Sequence, residues 1–183
     1  MPHSVQIASH GAMTTVDEAG LRRLFDDEYL HEFGPWEPSQ PYGYAPQDVR
    51  VLARSAGIIV GHAGWRRRSI SVGDAEVTVA GVGGVLVSPN ARGENIGRRM
   101  MERVAESLLE AGDIEFGFLG CREQVVPFYL ACGWTRITAS ERSVGRDGTL
   151  ATHPPGPPLL ILPVGRDVES WPEGMIDLRG RAW

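Results

Sequence analysis

The residues best suited to chemistry fall in two short stretches. The turn Asn90–Gly97 stands between an apolar run and a helical pattern, and it is rich in backbone donors. A helix start carries amides without intrahelical partners and a partial positive charge, so it seats phosphate readily. An ordinary strand–loop–helix packing unit has the same composition. Upstream, Asp26–Glu37 holds five acids interleaved with Tyr29, His31, Phe33 and Trp36, and Tyr42 and Tyr44 follow. Carboxylates beside aromatic faces make a cradle for an amino sugar, with Glu28, Glu32, Trp36, Glu37 and Tyr44 as its members; a solvated acidic helix end is the alternative. The five histidines are scattered, with no Cys/His pair at ligand spacing, so no metal site is expected. Cys121 and Cys132 are too few for a disulfide framework and read as reduced, buried thiols rather than nucleophiles.

The elements that must position these groups follow from periodicity. Val77–Val87 is an apolar strand interrupted by Gly81, Gly83 and Gly84, and glycine inside a strand marks a bulge or a close approach by backbone or ligand. Pro89 ends the strand. Ile96, Met100, Val104 and Leu108 then recur every four residues, the buried stripe of an amphipathic helix that Gly112 closes. Before this unit, a strand is expected over Ser4–Ala8. A helix capped by Thr14 or Thr15 follows, burying Leu21, Leu24 and Phe25. An antiparallel meander of Val49–Arg54 and Ile58–Val72 turns at Ser55-Ala56-Gly57. Arg66-Arg67-Arg68 reads as a solvated edge, because alternate side chains on a strand face opposite ways. After the unit come a parallel strand over Glu115–Gly120, a short helix over Glu123–Ala131, and strands over Thr135–Thr138 and Leu159–Val164. The polar, Gly/Pro-rich Ser140–Pro158 reads as a mobile loop. The tail Glu169–Trp183, with its two Trp, is expected to dock back on the body.

Composition bounds the rest. A chain of 183 residues, 42% hydrophobic, builds one compact domain with a sizeable core. A net charge of −5 and pI near 5.5 argue against nucleic acid and suit a cationic or neutral small substrate. No apolar run approaches the ~20 residues that span a bilayer, and no secretory signal stands at the start, so a cytoplasmic location is expected.

The order strand, helix, meander, Arg-Gly turn, helix, strand, Phe-Tyr helix, Gly-Trp strand resembles the GNAT superfamily of acyl-CoA N-acyltransferases. The superfamily turn Q/R-x-x-G-x-G/A is met at Arg92 and Gly97, with Asn95 where the middle glycine stands. Phe128-Tyr129 followed by Gly133-Trp134 matches F-Y-x-x-x-G-F/W. The resemblance implies an α+β (α/β) fold: a mixed, mostly antiparallel sheet of six to seven strands flanked by helices, its central strand splayed for acetyl-CoA. It places pantetheine along Val85, Leu86 and Val87. The pyrophosphate falls on the amides of Arg92, Gly93, Glu94, Asn95, Ile96, Gly97 and Arg98. The Tyr129 phenol lies where the departing thiolate is protonated, and the Val85 amide meets the oxyanion. No metal is implied, and a homodimer is compatible.

Two groups within the superfamily are similar to this chain. The glycine-bearing strand and the ending Asp-x-Arg…Trp look like aminoglycoside 2′-N-acetyltransferases, including those acting on kasugamycin-like substrates. Arg67–Val72, Val79-Ala80 and Trp171-Pro172-x-Gly resemble the nodulation N-acyltransferases that load fatty acyl groups onto chitooligosaccharides. Both act on the amino group of an amino sugar, and the aminoglycoside type, with its resistance role, is the reading favoured from sequence. Gly83 stands where several relatives project a carboxylate, so the proton acceptor must come from elsewhere. Glu28, Glu32 and Glu37 are candidates, as are Asp177 and the Trp183 carboxylate on the tail, whose span of about residues 165–183 is expected on the substrate side. A degenerate, non-catalytic acyl-CoA binder is the contrasting possibility.

Overall fold

The computed structural model describes residues 6–183, with side chains described from Gly11 onward, so Ser4 and Val5 of the expected first strand lie outside the described residues. The elements run β1 (Gln6–His10), α1 (Thr15–Phe33), β2 (Val49–Ser55), β3 (Ile58–Val72), β4 (Ala75–Val87), α2 (Ile96–Ala111) and β5 (Phe116–Gly120), then α3 (Val126–Ala131), β6 (Thr135–Ile137), β7 (Glu141–Val144), β8 (Leu150–His153), β9 (Leu159–Pro163) and β10 (Ile176–Arg181). Helix α1 starts where a capping box closes it: Thr14 accepts from the Asp17 amide and Asp17 accepts from the Thr14 amide. Helix α2 ends on Gly112 at φ +80°, a left-handed stop that glycine adopts without strain.

All ten described strands join one sheet, ordered β6-β9-β5-β4-β3-β10-β7-β8, with β2 and then β1 also attached through β3. This exceeds the six or seven strands expected. The surplus comes from Ser140–Pro158, which holds the hairpin β7–β8 instead of a mobile loop. The tail adds another strand, since β10 pairs antiparallel with β3 and parallel with β7. Polar residues hid these strands: β7 is only half-buried and β8 mostly exposed, so neither carries an apolar alternation.

The two sheet faces are told apart by alternation. Val51 and Ala53 pack with Met100 and Val104 of α2, whereas Leu52 between them packs with Leu21 and Leu24 of α1. Successive strand side chains face opposite ways, so α1 and α2 cover opposite faces. Along β4, Ala80 and Val82 join the α2 side, while Val77 and Val79 join a cluster with Ile176, Leu178 and Trp183. The tail therefore shares the α1 face. Among the described residues no helix is long and apolar enough to cross a membrane.

Candidate active site

Strands β4 and β5 form the centre of the site because they pair and then part. Their parallel ladder runs Val79↔Phe116, Ala80↔Gly117 and Gly81↔Phe118, and stops there. On the other edge of β4, Gly64 pairs with Gly83 and His62 with Leu86. One β3 residue thus faces two on β4, a bulge at Gly84 and Val85, and the expectation of a bulge at the glycines is met. Gly84 has φ +60°, and a Cβ there would lie 3.1 Å from the His62 ring. The fully buried His62 donates from Nδ1 to the Gly84 carbonyl at 2.7 Å. Burial depresses its pKa to about 4, so the imidazole is neutral and fixes the bulge from below.

Gly81 and Gly83 have a different reason. Both point to the tail face, where Trp183 fills the space. A Cβ on Gly81 would fall 1.8 Å from the Trp183 indole, and one on Gly83 would fall 2.4 Å from the Trp183 main-chain carbon. The indole rests edge-on against Phe118 at 6.1 Å, and the Arg68 guanidinium lies 4.3 Å from its centre. Arg68 also donates to the carbonyls of Leu178 and Arg181, at 2.9 and 2.8 Å. The solvated-edge expectation therefore fails for Arg68, which straps the tail to the sheet, while Arg67 pairs with Asp113 and Arg66 with Asp48.

A cavity of about 370 Å³ opens on the parted strands. Gly83, Gly84 and Val85 form its floor, Tyr129 one wall, and Phe25, Tyr29, Phe33, Trp36, Tyr42 and Tyr44 the others. Phe25, Tyr29 and Phe33 recur every four residues on α1, which turns one face of aromatic rings toward the seam. Arg146 closes the rim, stacked over Phe33 at 4.8 Å and donating to the Tyr42 carbonyl at 2.6 Å. Tyr129 is 7% exposed, and burial raises its phenol well above the ordinary value, so it is held as a proton donor. Tyr42 is likewise pushed up to about 12 by burial.

The acidic side chains expected are not in this cavity, whereas Trp183 lines it. Glu28 pairs with Arg92 at 3.2 Å, Glu37 with Arg22 at 3.3 Å, and Glu32 is exposed. The helical register that turns Tyr29 and Phe33 inward turns Glu28 and Glu32 out, and Glu37 lies beyond the helix end, leaving Trp36 and Tyr44 as the members of that group on the cavity wall. Asp177 is ion-paired with Arg142 and accepts from the Arg179 amide, which lowers its pKa and leaves it a poor base.

A second cavity, about 430 Å³, lies beside the first and shares Tyr44, Val82, Gly120, Arg122 and Trp183 with it. Its far wall carries Glu141 and His153, directly opposite each other across the β7–β8 ladder. Neither was singled out from sequence, because a polar hairpin offered no motif. Burial raises the Glu141 pKa above the usual carboxylate value.

The turn before α2 fits an anionic group. Asn95 takes a left-handed conformation (φ 58°, ψ 14°), so the missing glycine is accommodated, and its side chain makes no capping hydrogen bond. Gly93 sits at φ +89° with no atom within 4 Å of a Cβ placed there. Ile96, Gly97 and Arg98 are the first residues of α2, whose amides lack intrahelical acceptors. Arg92 ties the turn to the sheet by donating from Nε to the Val87 carbonyl at 3.1 Å.

Comparison with known proteins agrees with this geometry. The family model for Nodulation protein A (NodA) matches residues 6–182. Nodulation protein A from Bradyrhizobium sp. (strain NC92) is 30% identical over 156 residues, covering 80% of this chain and 73% of its own. That from Mesorhizobium plurifarium is 28% identical over 169 residues, covering 87% and 85%. Among solved structures, the GNAT family N-acetyltransferase YhbS from Escherichia coli, in complex with CoA, superposes with a TM-score of 0.65 at 14% identity, covering 97% of this chain and 91% of its own. Escherichia coli ElaA gives 0.58 at 19% identity, covering 87% and 97%. The sheet that parts at Gly81 is thus the GNAT N-acyltransferase fold, and the chain belongs to the nodulation protein A family.

Proposed function

We propose that the protein transfers an acyl group from an acyl-CoA-type thioester to the amino group of an amino sugar. An oligosaccharide acceptor is favoured over an aminoglycoside. The observation that carries this is the parted seam with Tyr129 across it, which gives a thioester a passage between the two faces of the sheet. Family membership supports the oligosaccharide acceptor, so the aminoglycoside preference held from sequence gives way. The aromatic lining of the first cavity, free of acidic side chains, suits an acyl chain longer than acetyl better than it suits a charged sugar.

In this reading the thioester carbonyl lies at Val85, whose amide on the bulge meets the developing oxyanion. The turn Arg92–Arg98 holds the donor's phosphates, and the Tyr129 phenol protonates the departing sulfur. Transfer is direct within a ternary complex. Burial raises both thiols, Cys121 and Cys132, which keeps them protonated and poor as nucleophiles.

The test is thiol release from acetyl-CoA and from longer acyl-CoAs. The acceptor panel comprises glucosamine oligomers, aminoglycosides including kasugamycin, and peptides. Turnover highest with glucosamine oligomers supports the proposal; turnover confined to aminoglycosides or peptides replaces the acceptor, and none at all removes the enzyme reading.

A further inference from the structure

The mechanism lacks a side-chain proton acceptor, and the acidic side chains expected from sequence are unsuited to the role. Three titratable side chains, from β3, β7 and the tail strand, come into question. His62 is neutral and fully buried, but its Nδ1 is committed to the Gly84 carbonyl and its Nε2 is sealed from both cavities' walls. Asp177 is bound by Arg142 and the Arg179 amide. Glu141 lines the second cavity, which reaches Val82 and Phe118 at the seam.

We propose that Glu141 is a catalytic residue: its carboxylate receives the acceptor amine in the second cavity and takes its proton, with His153 opposite as a positioning residue. This rests on the reading of the protein as an N-acyltransferase. The amine nitrogen bonds to the thioester carbonyl carbon and the carbon–sulfur bond breaks. The proton lost from nitrogen passes to Glu141 and then to water, while Tyr129 gives its proton to the thiolate and regains one from solvent. Thioester and amine become amide and thiol, with no other reactant.

Several observations support the assignment. Glu141 and His153 are paired across the antiparallel ladder, so their side chains share one face. Val82 and Trp183 line both cavities, so the cavity that Glu141 lines adjoins the seam at which the first cavity opens. The remaining charged or titratable side chains on that cavity are Arg122, Cys121 and Tyr44, and Trp183 lines it as well. Ser143, two residues along β7, favours the charged carboxyl. On β10 the residue opposite is the apolar Ile176, and Arg142–Asp177 point to the other side. Half-buried among these, Glu141 has its pKa raised toward neutrality, which suits a general base.

The experiment measures kcat and KM against pH by thiol release for the full chain, with a glucosamine tetramer and with benzylamine as acceptors. Glu141→Gln should lower kcat by about 10²-fold or more, leave KM for acyl-CoA within about twofold, and abolish the acidic limb of the profile. Glu141→Asp should restore part of the rate and the limb. His153→Ala should move the limb to higher pH, because the imidazolium lowers the carboxyl pKa. Thermal melting within a few degrees of wild type shows that the variants fold. A Glu141→Gln enzyme that keeps kcat within about threefold, or keeps the acidic limb, overturns the proposal. If the wild type acylates benzylamine but no amino sugar, the acceptor reading fails while Glu141 is still judged on benzylamine.

Discussion

Replacing Gly81 by Ala tests whether the glycines of β4 exist to admit Trp183. The new methyl would fall 1.8–2.2 Å from three atoms of the indole, its three nearest neighbours, so the ring must leave its site. The φ of Gly81 lies outside the left-handed region, so alanine brings no backbone strain of its own. The indole then loses its edge-on contact with Phe118 and its stacking under Arg68. These are worth about 0.5–1.5 and 0.5–2 kcal/mol, about 1–3.5 kcal/mol together. For a domain of this size that lowers Tm by roughly 2–14 °C, read by calorimetry. Trp183→Ala alone should cost a similar amount. The double variant should cost little more than Trp183→Ala, because the methyl then enters vacated space, giving a coupling of about 1–3 kcal/mol. Additive losses in the double variant would refute the packing argument.

Further outcomes follow from the site. Tyr129→Phe should lower kcat by about 10²-fold with KM for acyl-CoA little changed, and an unaltered kcat removes its role as proton donor. Cys121→Ala and Cys132→Ala should each leave turnover within a few-fold; loss of transfer in either would demand an acyl-cysteine step. His62, with a folded pKa of about 4 against 6.5 unfolded, lets the unfolded state bind more protons between those values. Stability should therefore decline as pH falls from about 6.5 to 4, by roughly 3 kcal/mol, and His62→Gln should flatten that slope in urea unfolding. Asp17 and Asp177, whose pKa values are lowered, contribute stability that is present above their ordinary range and lost only at more acid pH. A slope unchanged in His62→Gln would contradict the buried neutral imidazole.

Much of the proposed donor side was legible in the sequence because its elements are local. The four-residue stripe of α2, the glycines of β4 and the Phe-Tyr helix each announce themselves through spacing, and Asn95 takes the left-handed conformation its position requires. The proposed acceptor side is built from long-range contacts between polar segments, and spacing says little about those. Glu141 and His153 become neighbours only through the β7–β8 pairing. The acids of α1 were visible, but the facing of a helix with aromatics and carboxylates interleaved is decided by what the sheet offers it. Here Leu52, Ile59 and Leu86 receive Leu21, Leu24 and Phe25, which carries Tyr29 and Phe33 inward and Glu28 and Glu32 outward. Gly81 and Gly83 announce a bulge or a close approach, but not by what; Trp183 of the tail, 102 and 100 residues further along the chain, is what approaches.

The most direct measurement of the central claim is the mass of the product. A glucosamine oligomer carrying one free amine, incubated with the protein and an acyl-CoA, should gain one acyl group as an amide on that nitrogen. The fully N-acetylated oligomer should gain none. Acylation of both oligomers, an ester in place of the amide, or no acylated sugar with any acyl-CoA would contradict the account.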